Sequence, residues 1–156
     1  FYVIGVNSIR RRYHTRGHIS LSQIQEIDLK LQQAPAHKIK LIAAHQPFYT
    51  PPDHSHGVKD CPMLGRIALE QWSQHGLNGL LHGHLHHAAV YDLNQIYQLG
   101  VSHPVLDIHA GTATSYRLHA GLPNSLNIIL PNADVQHLSF NAETNRFELI
   151  QQNTSD

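Results

Sequence analysis

Histidines follow two short apolar runs in this sequence. His45 comes directly after residues 39–44, and Gly83-His84-Leu85-His86 comes just after residues 77–81. Imidazole is the commonest side-chain metal ligand, and three imidazoles delivered from the tips of two strands predict a metal site. A hydrolytic centre with two metal ions also needs carboxylates, and no Asp or Glu adjoins these histidines in the sequence.

The spacing of His84 and His86 allows two arrangements. In an extended strand, residues two apart point the same way, whereas a turn directs the two side chains to different metal ions. Gly83 allows backbone conformations that other residues avoid. A lone His-x-His pair in a chain with 15 His is more often a pair of surface residues, but His45 at the neighbouring strand end favours metal binding.

The composition limits the classes of protein. A chain of 156 residues forms one domain with a core, and a formal net charge of zero indicates no electrostatic binding of nucleic acid. The single Cys61 excludes an internal disulfide and a cysteine-based zinc site, and we expect it to be partly buried. The sequence shows no apolar run near the ~20 residues of a membrane span and no signal-peptide pattern, which predicts a cytoplasmic location.

Three buried strands are predicted to position the histidines. Residues 1–6, 39–44 and 77–81 are short, apolar and β-strand-like. Ser20 and Gln23 fit a capping box before apolar residues at helical spacing, which predicts a helix over 21–33. A second helix is predicted over 64–75. In open α/β sheets ligands bind beyond the carboxyl ends of the strands, where His45 and His84 stand.

The second half of the chain is predicted to be mostly strands. The candidates are residues 88–91, 96–99, 105–109, 125–130, 135–140 and 146–151, with the turn of a last hairpin at 143–145. The Pro-rich segment 46–63 is predicted to be an irregular loop. We therefore predict a single α/β (α+β) domain over residues 1–156, with strand–helix alternation to about residue 82 and mostly antiparallel strands after it.

The ordered motifs resemble those of the calcineurin-like metallophosphoesterases. His45-Gln46-Pro47, then a helix, a strand and Gly83-His84-Leu85-His86, is similar to the last two metal motifs of that superfamily. Four other stretches of the sequence are similar to stretches in its cyclic-nucleotide-phosphodiesterase-like branch. These stretches are Asn7-Ser8, Gly17-His18-Ile19-Ser20, Ala110-Gly111-Thr112-Ala113-Thr114-Ser115 and Pro123-Asn124-Ser125. The resemblance covers almost the whole chain and implies part of a four-layer α/β/β/α sandwich.

The chain departs from this family in its opening motifs. The family begins with Asp-x-His, Gly-Asp-x-x-Asp and Gly-Asn-His-Asp/Glu, and we interpret the chain as lacking all three. Six aspartates are assigned to no such motif: Asp28, Asp53, Asp60, Asp92, Asp107 and Asp134. We expect this chain to be the carboxyl-terminal half of a longer metallophosphoesterase domain whose amino-terminal half is absent.

The resemblance implies a hydrolase that uses two divalent metal ions, of Mn, Fe or Zn, and a hydroxide between them to attack phosphorus. By motif, the resemblance implies that His45 and His84 are ligands of one ion and His86 of the other. It also implies a small phosphate ester or cyclic nucleotide as substrate and the activity of a phosphodiesterase. Alone, the chain is expected to hold metal weakly or at one site and to be inactive, and to associate with the missing half or with itself, since a half-domain exposes apolar surface and a sheet edge.

Several neighbouring side chains allow a functional and a structural interpretation. Tyr49, Asp53, His54 and His56 could line a substrate pocket or belong to a solvated loop. Arg10, Arg11, Arg12 and Arg16 could bind phosphate, although such a charge run is more often solvated. His82 and His87 are expected to orient ligands or lie on the surface. Trp72 is expected in the core, and His103, His109 and His119 have no assigned role, with His109 pointing outward.

Two other functions compete with phosphoester hydrolysis. The first is a non-catalytic His-rich metal-binding or scaffold domain. The second is a cupin-like barrel, in which His-x-His also binds metal. That barrel expects a Glu about four residues after the second His, where Val90 stands, and the two predicted helices argue against it.

Overall fold

The computed structural model describes residues 1–9, 16–52, 58–116, 118 and 121–150. The elements are β1 (Tyr2–Gly5), α1 (Leu21–Gln33), β2 (Lys40–Ala43), a 3₁₀ helix (Val58–Asp60), α2 (Gly65–Ser73), β3 (Leu77–His82), β4 (Ala89–Asp92), α3 (Leu93–Tyr97), β5 (Leu106–His109), β6 (Ser125–Ile129), β7 (Val135–Asn141) and β8 (Arg146–Leu149). None of the described helices combines the length and apolar character that a membrane crossing requires.

The strands form two sheets. The first has the order β1-β2-β3-β5-β4, with β4 antiparallel to β5 and the other neighbours parallel, and the second is the antiparallel sheet β6-β7-β8. The predicted α/β (α+β) class is therefore confirmed, including the change to mostly antiparallel pairing after β3. An open mixed sheet packed with helices is not a cupin-like barrel, so that alternative is wrong.

Helix α1 begins where the capping box predicts. The Gln23 amide donates to Ser20 Oγ (3.2 Å), and the Ser20 amide donates to Gln23 Oε1 (2.9 Å). Its buried face, Ile24 and Leu31 among others, packs with α2 on the face of the first sheet that carries Ile42 and Leu80. Trp72 lies in this core, as predicted, and its Nε1 donates to the Ile24 carbonyl (3.0 Å).

One predicted strand is a helix. Residues 96–99 were assigned to a strand on their apolar pattern, whereas the structure has α3 over Leu93–Tyr97. The Asp92 side chain accepts the Asn94 amide (2.9 Å), which caps the helix, and Gln98 ends it in the left-handed conformation. A local cap therefore outweighs a short apolar run that periodicity alone cannot assign.

Lys40, at the start of β2, ties the sheet to the ends of both long helices. Its Nζ donates to the Leu31 carbonyl (2.8 Å) in the last turn of α1 and to the His75 carbonyl (2.9 Å) just beyond α2. Helix carboxyl ends carry carbonyls without partners within the helix and a partial negative charge, so an ammonium there is favourable on both counts.

We expect Lys40→Met to lower the free energy of unfolding by about 2 kcal/mol, because it keeps the aliphatic stem and removes two charge-assisted hydrogen bonds. Urea unfolding monitored by Trp72 fluorescence measures the change. The control is Lys38→Met, since Lys38 is exposed, and it should leave the midpoint unchanged. Equal midpoints for the two variants would contradict a bridging role for Lys40.

Candidate metal site

The parallel pairing of β2 and β3 brings His45 and His84 together. Ala43 is aligned with Leu81 in this pair, so the residues that follow the two strands lie side by side at one sheet edge. His45 Nε2 and His84 Nδ1 are 3.2 Å apart, and the rings are nearly perpendicular. Metal–nitrogen bonds of about 2.0–2.1 Å place neighbouring ligand atoms about 3 Å apart. The two nitrogens can therefore hold one ion.

Ser8 fixes the backbone at His45. Its Oγ accepts the amides of His45 (3.1 Å) and Gln46 (3.3 Å) and donates to Gln46 Oε1 (2.5 Å). The hydroxyl is fully buried, so these bonds are shielded from competing water. The loop after β1 therefore sets the direction in which the chain leaves β2, a role of Ser8 that no sequence motif indicated.

A turn separates His86 from the other two histidines. His86 has a φ of 55° and its amide donates to the Gly83 carbonyl (3.2 Å). Of the two arrangements predicted for His84 and His86, the structure therefore has the turn and not the extended strand. His86 Nδ1 lies 2.8 Å from Thr112 Oγ1. Thr112 therefore orients the ring by Nδ1 and leaves Nε2 as the nitrogen for an ion.

The pKa of His45 is lowered, first by partial burial of its ring and then by the neighbouring imidazoles of His86 and His82. The lowered pKa favours the neutral ring, which is the form that binds metal. His45 and His86 are also exposed, so an ion can reach both.

Asp60 is a carboxylate at this site that no sequence motif indicated. It ends the 3₁₀ helix in the Pro-rich loop, is 2% exposed, and places Oδ2 3.4 Å from His84 Nε2. This nitrogen is on the opposite side of the ring from the one that faces His45. No spacing in the sequence relates Asp60 to His84, because an irregular loop and a helix lie between them.

A second, buried group lies in the first sheet: His82, Asp107 and His109. His82 Nε2 is 2.9 Å from Asp107 Oδ1, and His109 Nε2 is 3.1 Å from Asp107 Oδ2. The expectation that His109 points outward is wrong, since it is 1% exposed, and the surface alternative for His82 is wrong as well. Alignment of His82 with His109 in the parallel β3–β5 pair puts both rings on the same face.

By spacing, the buried group could hold a metal ion, since one ligand atom from each of the three residues lies within 4.8 Å of the others. Asp107-Ile108-His109 also has the Asp-x-His pattern, so the interpretation that the chain lacks this motif is wrong. Yet Asp107 Oδ2 also accepts the Tyr49 amide (3.1 Å), and both Nδ1 atoms lie buried with no hydrogen-bond partner among the described residues. Metal-bound histidines normally donate their second N–H to an acceptor, so a hydrogen-bonded group fits better than an ion.

Two opposed effects act on the charge of Asp107. Burial alone would raise the pKa of its carboxyl, but the imidazoles of His82 and His109 outweigh burial and hold the pKa below its usual value. Burial lowers the pKa of His109 despite its bond to Asp107. The group is therefore an ionised carboxylate with three N–H donors, which pins the loop after His45 to the sheet through Tyr49.

The other candidate residues are placed as follows. Tyr49 packs edge-on against Tyr91, with ring centroids 5.0 Å apart, and its substrate role stays a prediction. His103 Nε2 contacts the Leu77 carbonyl (3.0 Å), and Cys61 is partly buried as expected, with a pKa raised by burial to about 11. Arg16 is exposed. Arg10, Arg11, Arg12, Asp53, His54, His56 and His119 lie outside the described residues.

Comparison with known proteins gives little further assignment. No protein-family model and no curated protein matches the chain. A solved structure with some similarity is a putative 5′-nucleotidase from Staphylococcus aureus in complex with alpha-ketoglutarate, with a TM-score of 0.46 and 16% identity over 96% of this chain and 26% of that one. The chain thus spans about a quarter of that protein. Similarity at this level assigns neither a family nor an activity.

We expect the free energy of unfolding to fall as the pH is lowered from about 7 to about 5. The pKa of folded His109 is below its unfolded value of about 6.5, so the unfolded chain binds a proton first and the stability present above pH 6.5 is lost below it, by up to about 1.4 kcal/mol per pH unit. Asp107, whose pKa is also lowered, adds a further loss only below about pH 4.

Urea unfolding at pH 7.5, 6.0 and 5.0 measures this slope. His109→Gln should flatten it, whereas His37→Gln, at an exposed position, is the control and should keep it. A stability that does not change between pH 7.5 and 5.0 would contradict the burial of a neutral His109.

Proposed function

We propose that this chain contributes ligands to the dinuclear metal centre of a metal-dependent phosphoesterase, a phosphodiesterase of the calcineurin-like metallophosphoesterase superfamily. The observation that carries the proposal is the 3.2 Å approach of His45 Nε2 and His84 Nδ1 at the carboxyl ends of adjacent parallel strands. The order of the His45-Gln46-Pro47 and Gly83-His84-Leu85-His86 motifs supports it.

The chain's own residues divide the work of holding two ions. His45 and His84 face each other and would hold one ion, while His86, oriented by Thr112, would hold the other. Imidazole donors suit Mn, Fe and Zn. When bound, divalent ions would supply an activated water molecule and neutralise charge that develops on the phosphoryl oxygens. Ser8 holds the His45 backbone in place for this role.

The remaining ligands belong, in this proposal, to a preceding segment of a longer domain. Gly-Asp-x-x-Asp and Gly-Asn-His do not occur in the 156 residues, and Asp-x-His occurs only inside β5. Strand β1 is an edge of the first sheet and its Val3 is 54% exposed, a surface at which further strands can pair. In this proposal the chain alone is inactive and binds metal weakly. Its exposed β1 edge pairs with the missing segment or with a second copy of the chain. Its cytoplasmic location stays a prediction.

We expect the full-length gene product to hydrolyse bis-p-nitrophenyl phosphate when Mn²⁺ is added and this chain alone to show no turnover. His84→Ala should lower kcat/KM by more than about 100-fold. Loss of a residue that hydrogen-bonds to a metal ligand typically costs about 10- to 100-fold in activity, and loss of the ligand itself should cost more. His37→Ala is the control, at an exposed position, and should keep full activity.

The two possible failures of this experiment have different meanings. If metal binding depends on His45 and His84 but phosphate esters are not hydrolysed, the proposed enzymatic activity is overturned. A non-catalytic His-rich metal-binding domain is then the better interpretation. Hydrolysis that survives His84→Ala and His45→Ala would remove these histidines from the centre. A panel of small phosphate esters and cyclic nucleotides then defines the substrate class.

A further inference from the structure

We propose that Asp60 is a positioning residue, which accepts the Nε2–H of His84 and so turns the Nδ1 lone pair of that ring toward the ion shared with His45. This inference rests on the proposed function, since it assumes an ion between His45 and His84.

The two nitrogens of His84 face different neighbours. Nδ1 lies 3.2 Å from His45 Nε2, and Nε2 lies 3.4 Å from Asp60 Oδ2. The two nitrogens point to opposite sides of an imidazole, so an ion between the two histidines lies on the side of the ring away from Asp60. Asp60 therefore acts on the ion through the ring and does not bind it.

The backbone of Asp60 is held firmly by the loop before α1. The Gly17 amide donates to the Asp60 carbonyl (3.1 Å). A Cβ at Gly17 would stand 2.8 Å from the Pro62 nitrogen and 2.9 Å from the Asp60 oxygen, closer than side chains are found, so only glycine fits there. This contact fixes the point from which the Asp60 side chain reaches His84.

The environment of Asp60 suits an acceptor role. Its side chain is 3% exposed and that of His84 is 11% exposed, so little water competes for the contact. An ionised carboxylate only accepts hydrogen bonds, and a carboxylate on the second nitrogen of a ligating histidine fixes the ring and raises its basicity. The 3.4 Å distance is longer than the usual N–H···O hydrogen bond, so the proposal requires this contact to shorten when an ion is bound.

The test measures metal binding rather than catalysis. Metal-free full-length gene product is titrated with Co²⁺, and the visible absorption of the bound ion reports both affinity and coordination. Asp60→Asn should weaken binding about 10-fold and Asp60→Ala up to about 100-fold, with the shape of the spectrum retained because the ligands are unchanged. Glu143→Gln is the matched acid-to-amide control, at an exposed position in the β7–β8 turn, and should bind like the wild type.

A double-mutant cycle separates positioning from a general structural effect. If Asp60 acts through His84, then Asp60→Asn should have no further effect on Co²⁺ affinity in the His84→Ala background. A loss of equal size in both backgrounds would overturn the inference. Loss of a coordination feature from the Co²⁺ spectrum of Asp60→Asn would overturn it too, since Asp60 would then be a ligand.

The outcomes also separate this inference from the proposed function. Co²⁺ binding that is weakened by His45→Ala and His84→Ala but unchanged in Asp60→Asn overturns only the role of Asp60. Co²⁺ binding that is indifferent to His45→Ala and His84→Ala overturns the proposed metal site, and the inference with it.

Discussion

Strand β3 pairs in parallel with β2 on one side and with β5 on the other, and both histidine groups depend on its register. Toward β2, the alignment of Ala43 with Leu81 brings together the segments after the two strands, which carry His45 and His84. Toward β5, the alignment of His82 with His109 places two imidazoles around Asp107. A shift of one residue in either pair would turn every side chain to the other face of the sheet. The histidines of that group would then no longer lie close together, although the amino-acid sequence is unchanged.

The two groups face opposite physical requirements. Two of the outer histidines, His45 and His86, are exposed, so an ion can reach the outer group from solvent. The inner group is sealed, and its charge is met by three N–H donors to Asp107 from His82, His109 and the Tyr49 backbone. A buried carboxylate with fewer donors would shift its pKa and take up a proton. Here it stays ionised, and its bond to Tyr49 anchors the segment that leaves the outer site.

The sequence was sufficient for features that depend on local spacing. The capping box of α1, the buried strands and the convergence of His45 with His84 all follow from patterns within a few residues and from the geometry of parallel strands. It was insufficient where a local cap competes with an apolar run, as at Asp92 and α3. Strand alternation at His109 indicates two faces without saying which one is covered. Asp60 and Ser8 reach the site from irregular loops, and no periodicity describes such contacts.

Gly17 meets Asp60 and Pro62 backbone to backbone, with no space for a side chain between them. Two loops far apart in the chain therefore touch through backbone atoms, which every residue type carries. Gly17 is the position at which this contact requires a particular residue type. Sequence drift in either loop is tolerated as long as the contact survives, whereas an insertion or deletion changes where the loop crosses its neighbour. In this part of the molecule, loop length is more tightly constrained than loop composition.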